Sequence, residues 1–287
     1  MTTLLAVPNI SEGRDPATVA AVASAFGLPV LDVHTDPDHH RSVFTLAGPP
    51  GHLAHAVVRG AAEAVRRIDL ETHHGLHPRV GAVDVAPIVF LADRDRGAAC
   101  AEALVLGDAL AQELGLPVFL YGALAGGRTR AELRRGGPTG LAARMEAGEL
   151  TPDFGPPKLD PAAGAVLVGA RAPLVAFNVE LEAPATLADA RRIASAIREG
   201  GPEGLLGVRA IGLWLEHASV AQVSTNVEAH ERVPLARVVQ AVGRHCAVRA
   251  AELVGLAPAA AFEGFPTDVP VRNKRLIEDT LAKCSPP

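Results

Sequence analysis

The chain has 287 residues and sets 27 Lys+Arg against 32 Asp+Glu, a formal charge of −5 with no basic cluster, which argues against a nucleic-acid partner. Its 48% apolar and 21% charged residues are the mix of a globular protein that buries a core, and the length suits two modest domains. Cys100, Cys246 and Cys284 are too scattered for a disulfide framework or a CxxC metal site, and residues 1–10 lack the basic start and apolar length of an export or spanning segment, so a reducing cytoplasm and no membrane partner are expected.

In chain order, Leu4–Val7 reads as a short strand, and Asp15-Pro16 as the cap and first position of a helix reaching about Phe26. Strands are expected at Val30–Val33 and Ser42–Leu46, separated by a polar stretch, His34–Arg41, that fits neither period. After Gly48-Pro49-Pro50-Gly51, the residues Ala54, Val57, Val58, Ala61, Val65 and Ile68 keep helical spacing. A strand lies near Val80–Leu91, a helix from about Ala98 to Leu114 with Cys100, Leu104, Leu110 and Leu114 as its apolar positions, and another strand at Val118–Tyr121. Residues 122–163 read as long loops with a short helix around Arg130–Arg134. The second half predicts strand Leu174–Leu181, helix Thr186–Arg198, strands Val208–Leu215 and Val220–Val227, helix Leu235–Cys246, strand Ala251–Val254 and a closing helix Arg272–Lys283.

Both halves thus read β-α-β-β-α-β, which makes the fold class α+β: two ferredoxin-like subdomains, a duplication inferred from element order alone. The boundary is expected near Ala170–Pro173, giving domains 1–170 and 171–287. Helices on one face of an antiparallel sheet leave the other face free. Along Ser219–Val227 that parity puts Gln222, Ser224 and Asn226 together, three uncharged hydrogen-bonding groups suited to a polar small molecule or simply to solvent.

Eight of the eleven histidines fall between His34 and His77. His73 and His77 have the i, i+4 spacing of zinc ligands, but Gly75 and Pro78 break the helix such a site needs, so an acid/base histidine is expected and no metal. Arg41 is a candidate clamp for a carboxylate. His39 and His40 read as surface residues or supporting partners, and Asp153-Phe154 as part of a rigid structural turn. No nucleotide-binding signature is present.

Seven ordered segments carry a resemblance: VPNISEGR (7–14), LHPRVGAVDVAPIVF (76–90), PVFLYG (117–122), PDFGP (152–156), LVGARAPLVAFNV (167–179), AQVSTNV (221–227) and ELVGLAP (252–258). Together they resemble the formiminotransferase family, glutamate formiminotransferase and the transferase part of formiminotransferase-cyclodeaminase. The resemblance implies transfer of a formimino group between N-formimidoyl-glutamate and tetrahydrofolate in histidine degradation, a folate groove between two ferredoxin-like subdomains, and a cytoplasmic homodimer. Alternatives are a glutamate formyltransferase acting on 5-formyltetrahydrofolate and a folate-binding protein without catalysis.

By the same resemblance the catalytic histidine of the His-Pro-Arg motif falls on His77. The folate-binding stretch falls on Gly155, Pro156, Pro157, Lys158, Leu159, Asp160, Pro161, Ala162, Ala163 and Gly164. One histidine can serve both proton transfers, since the attacking amine loses a proton and the departing nitrogen gains one. Glutamate and the folate tail bring carboxylates, for which Arg41, Arg79 and Arg171 are the expected partners, with Gln222, Ser224 and Asn226 as further substrate contacts. The chain departs from the family pattern at His34 and Leu76, where bifunctional members carry acidic residues, and at Leu159 and Ala163, where they carry aromatics.

Overall fold

The computed structural model describes residues 2–284, which divide into two compact units between Ala172 and Pro173. Each contains one β-sheet with its own helices, so the architecture is α+β.

The first unit runs β1 (Leu4–Ala6), β2 (Asn9–Ile10), α1 (Pro16–Ala25), β3 (Val30–Asp36), β4 (Arg41–Gly48), α2 (Leu53–Arg67), β5 (Val83–Phe90), α3 (Arg96–Leu114), β6 (Val118–Leu120), α4 (Arg130–Leu133), α5 (Gly137–Glu146) and β7 (Val166–Arg171). β1 and β2 lie in one line, interrupted at Val7-Pro8, and both pair antiparallel with β4 on one side and β5 on the other. β3 pairs outside β4, while β7 and then β6 extend the sheet beyond β5 in parallel. The Asp15 side chain caps α1 by accepting from the N–H groups of Ala17 and Thr18, and Gly115 ends α3 in the left-handed region at φ 65°.

Helices α1 to α3 press Phe26, Val57, Leu106 and Leu110 onto Leu4, Phe44, Leu46 and Ile88. At the β5–β7–β6 end the opposite face is covered as well, by Leu133, Leu141 and Met145 of α4 and α5 against Phe119, Tyr121 and Leu167.

Several local expectations are corrected. The stretch His34–Arg41 is not irregular throughout: β3 continues to Asp36 and β4 begins at Arg41, with Asp36 directly opposite Arg41. Asp32, His34 and Asp36 do alternate with period two, but all three are polar even though Asp32 and His34 are buried, so no apolar rhythm marks the end of the strand. Residues 122–163 contain α5 besides the short helix, because Gly136 sits at φ 79° and Pro138 lies in the first turn, where no N–H is needed. β7 was not expected at all; its Val-Leu-Val-Gly-Ala run is buried on both faces, as parallel strands are, and shows no alternation. On α3 the buried stripe is Ala99, Ala103, Leu106 and Leu110, whereas Leu104 is 40% exposed.

The second unit runs β8 (Val175–Leu181), α6 (Leu187–Ile197), β9 (Val208–Leu215), β10 (Val220–Val227), α7 (Leu235–Gly243), β11 (Val248–Val254), β12 (Val271–Arg272) and α8 (Ile277–Cys284). The sheet order is β12-β11-β8-β10-β9. Thr186 and Asp189 form a capping box at the start of α6. The closing helix starts only at Ile277, because Val271 and Arg272 pair in parallel with β11. Val175, Phe177, Val179, Ala221, Val223 and Val227 face Ile193, Ile197, Val238 and Val242 in the core, which confirms the parity expected for β10. Among the described residues no helix is long and apolar enough to cross a membrane.

Candidate functional site

In the first unit, the turn 37–40 between β3 and β4 meets the loop 71–79 that precedes β5. Leu76 N–H donates to the Asp38 carbonyl at 3.3 Å. The approach depends on Gly75, where a Cβ would lie 2.7 Å from both the His39 carbonyl oxygen and the His40 Cβ. Two imidazole pairs result: His40 stacks on His73 with centroids 4.1 Å apart, and His39 meets His77 edge-on at 6.2 Å.

Each ring is held by specific partners. His39 Nδ1–H donates to Asp36 at 3.1 Å, and the same carboxylate accepts the His39 backbone N–H at 2.8 Å. His40 Nδ1 accepts from Gly13 N–H at 3.1 Å, and His73 Nε2–H donates to the His40 carbonyl at 3.1 Å. His77 Nε2 accepts from Arg41 Nη1. The Arg79 guanidinium donates to the carbonyls of His73 at 2.6 Å, Gly75 at 3.2 Å and His77 at 3.4 Å, clasping the loop.

These surroundings set the charge states. Burial, followed by the positive charge of Arg41 and Arg134, pushes His77 well below the ordinary imidazole value, so the ring is neutral at neutral pH. Burial and the Arg79 charge lower His73 to about 4. Burial raises the Asp36 carboxyl, but the hydrogen bonds and charge of His39 outweigh it and hold Asp36 at about 2. Burial and the neighbouring Arg134 bring Arg41 down to about 9, still protonated at neutral pH. Arg134 is paired with the buried Asp84, which also accepts the Val80 N–H at 2.9 Å. The larger positive charges acting on His77 are therefore those of two arginines, with that of His39 behind them.

The stretch Gly155–Gly164 is largely exposed but stitched to both ends of the histidine loop. The Ala162 and Ala163 carbonyls accept from Leu70 N–H at 3.0 Å and Ala82 N–H at 2.8 Å, and Ala165 N–H donates to Val80 at 2.9 Å. Asp160 shapes the turn by accepting from the Ala162 and Ala163 N–H groups. Arg171 ends β7 and donates to the Ala172 carbonyl at 3.0 Å.

In the second unit, Gln222, Ser224 and Asn226 share the face of β10 turned away from the helices. Gln222 lies opposite Glu180, and Ser224 opposite Asn178. Asn178 Nδ2 donates to Glu252 at 3.4 Å, and Arg272 donates to Glu180 at 3.0 Å. Gln222 is 0% exposed, and neither atom of its amide has a partner among the described residues, an arrangement that costs free energy unless a ligand or water completes it.

Of the residues expected to act, His77 and Arg41 are in direct contact, Arg79 braces the loop, and Gln222, Ser224 and Asn226 form one row. Reading the sequence alone misses Asp36, Asp84 and Arg134. Asp36 carries a signal in hindsight, since Asp-x-x-His is a spacing that lets a carboxylate reach the next turn's imidazole. The pair Asp84–Arg134 spans 50 positions and carries none.

A family model described as the N-terminal subdomain of the formiminotransferase domain matches residues 3–171, and one described as the formiminotransferase domain matches residues 176–265. The chain is 37% identical over 268 residues to a glutamate formimidoyltransferase of Streptococcus pyogenes serotype M1, covering 89% of each. It is 35% identical over 266 residues to a glutamate formimidoyltransferase of Thermoplasma acidophilum, covering 88% of this chain and 87% of that one. Against the formimidoyltransferase-cyclodeaminase of Sus scrofa it is 38% identical over 271 residues, 88% of this chain but 49% of that protein, so it spans about half that relative's length. Two matched models that together cover most of the sequence, in the order in which the two units fold, establish that the chain belongs to the formiminotransferase family.

Proposed function

We propose that this chain is a glutamate formimidoyltransferase that moves a formimino group between N-formimidoyl-L-glutamate and tetrahydrofolate, with His77 as the proton carrier. The observation that carries this reading is a neutral imidazole with Nε2 turned toward a buried guanidinium: a base and a carboxylate-binding group within one hydrogen bond of each other. In the transfer, Nε2 of His77 takes the proton from the attacking nitrogen as its bond to the formimino carbon forms. It returns that proton to the glutamate nitrogen as the old C–N bond breaks, so no net proton is left on the enzyme. Tetrahydrofolate supplies the accepting nitrogen.

The donor set fits such substrates. The unpartnered Gln222 amide offers one acceptor and two donors, as the edge of a pterin or an amide-bearing ligand requires. The Gly155–Gly164 stretch, tied to both ends of the histidine loop, is the folate-binding segment in this proposal, and Arg41 meets a carboxylate. Kinship also suggests a cytoplasmic homodimer, which sedimentation velocity checks for assembly state.

The direct test is consumption of N-formimidoyl-L-glutamate with tetrahydrofolate, repeated with each reactant omitted and with 5-formyltetrahydrofolate plus glutamate in parallel. Turnover that needs both formimino reactants supports the proposal. Turnover in the formyl assay alone replaces it with the formyltransferase, and folate binding without turnover in either assay refutes an enzymatic role.

A further inference from the structure

The atom of His77 that must take up the proton is already occupied. Nε2 faces Nη1 of Arg41, and a guanidinium has only donors and keeps its charge near neutrality, so in this contact arginine donates and the ring lone pair accepts. The backbone at Pro78 acts on the same ring and favours its protonated form. Proline has no N–H, so its backbone offers the ring only an acceptor, the carbonyl. A neutral imidazole held in this way has its single lone pair covered.

Arg41, for its part, is a poorly satisfied cation. Its Nε is buried and makes no hydrogen bond among the described residues. The carboxylates nearest in the fold are engaged elsewhere, Asp84 with Arg134 and the Val80 N–H, and Asp36 with His39. Arg134 adds repulsion. A carboxylate accepts two parallel bonds from a guanidinium and is a far better partner than one imidazole lone pair, because charge-assisted hydrogen bonds are roughly twice as strong as neutral ones.

We propose that Arg41 is a substrate-operated latch: a carboxylate of the glutamate derivative draws the guanidinium off Nε2 of His77 and so frees the lone pair that takes up the proton. The chemical use of this latch rests on the function proposed above, but the latch itself is a property of the protein and a carboxylate. It makes base strength follow occupancy. While Arg41 sits on Nε2, protonating the ring would break a hydrogen bond and set two cations together. Once a carboxylate neutralises Arg41, that penalty falls and the proton affinity of the ring rises.

The test follows His77 by heteronuclear NMR of the full chain with labelled imidazole nitrogens, its signal identified by its loss in His77→Gln. The titration midpoint is measured alone, with L-glutamate as the probe, and with sodium chloride at matching ionic strength. The expected result is a midpoint that rises by about one pH unit with L-glutamate, the size of effect one neighbouring charge exerts, and does not rise with salt. In Arg41→Gln the midpoint is expected to be raised already and to move no further with glutamate. A wild-type midpoint indifferent to glutamate overturns the proposal, and this arm needs no variant to fold. The two proposals fail separately: a glutamate-driven shift without formimino turnover refutes the reaction and keeps the latch, whereas turnover without the shift refutes the latch alone.

Discussion

His73 and His77 are both kept neutral where a free imidazole would take up a proton, and burial is the leading cause at each. For His73 the folded value of about 4 lies below the ordinary 6.5, so between those values the unfolded chain binds a proton that the folded chain does not. The stability this contributes is fully present above about 6.5 and is lost as the pH falls toward about 4. His73→Gln is therefore expected to flatten the dependence of unfolding free energy on pH in that window by about one proton, measured by urea melts across a pH series. Asp36, held at about 2, adds its own loss only below 3.8. At the reacting centre, His77→Ala is expected to abolish formimino transfer while folate affinity, followed by calorimetry, stays within a few-fold; retained turnover would remove His77 from the base role. His77 and Arg41 are legible in the sequence because titratable groups in a loop broken by Gly and Pro stand out from any packing pattern. Asp84 and Arg134 are not, since an ion pair joining a strand to a short helix across 50 positions leaves no local trace.

Among elements, the turn after β3 and the loop before β5 act together only because Gly75 lets them touch. Gly75→Ala is expected to push them apart and lower the rate of transfer by about tenfold or more, equal to about 1.4 kcal/mol in the barrier. Because the change sits in a loop and not in the core, global unfolding is expected to change by only about 1 kcal/mol, the low end of the usual range for overpacking. Steady-state kinetics beside a denaturant melt check both halves of this expectation. Helices with a side-chain cap, such as α1 and α6, or with a clear apolar stripe, such as α2 and α6, are readable from the chain. α5 and β7 are hidden for opposite reasons: a Gly-Gly-Pro start looks like a break, and a strand buried on both faces has no rhythm to find.

At the scale of the whole molecule, each unit closes its own apolar cluster. Phe177 lies at 0% exposure in the second cluster, edge-on to Phe265 at 6.0 Å, so Phe177→Ala should cost about 3 to 5 kcal/mol. Hydrogen exchange is expected to quicken at the amides of β8, β10 and β11 while those of β4 and β5 keep their protection; equal loss in both sheets would contradict two separate cores. The order of elements in both units is legible because strand and helix periods differ and caps punctuate them, whereas the short parallel strand β12 of the second unit, only two residues long, leaves no period to read. The kind of basic residue also matters across the chain, whose only lysines are Lys158, Lys274 and Lys283. In the proposed reaction the one-carbon unit is an electrophile, and an uncharged primary amine beside it would compete as an acceptor. A guanidinium steers a carboxylate without becoming nucleophilic, while a lysine amine in a buried setting readily loses its proton. Arg41→Lys is accordingly expected to make the protein consume its own reagent, leaving an amidine on residue 41 that mass spectrometry detects after incubation with N-formimidoyl-L-glutamate. Arginine around His77 thus protects the fidelity of delivery.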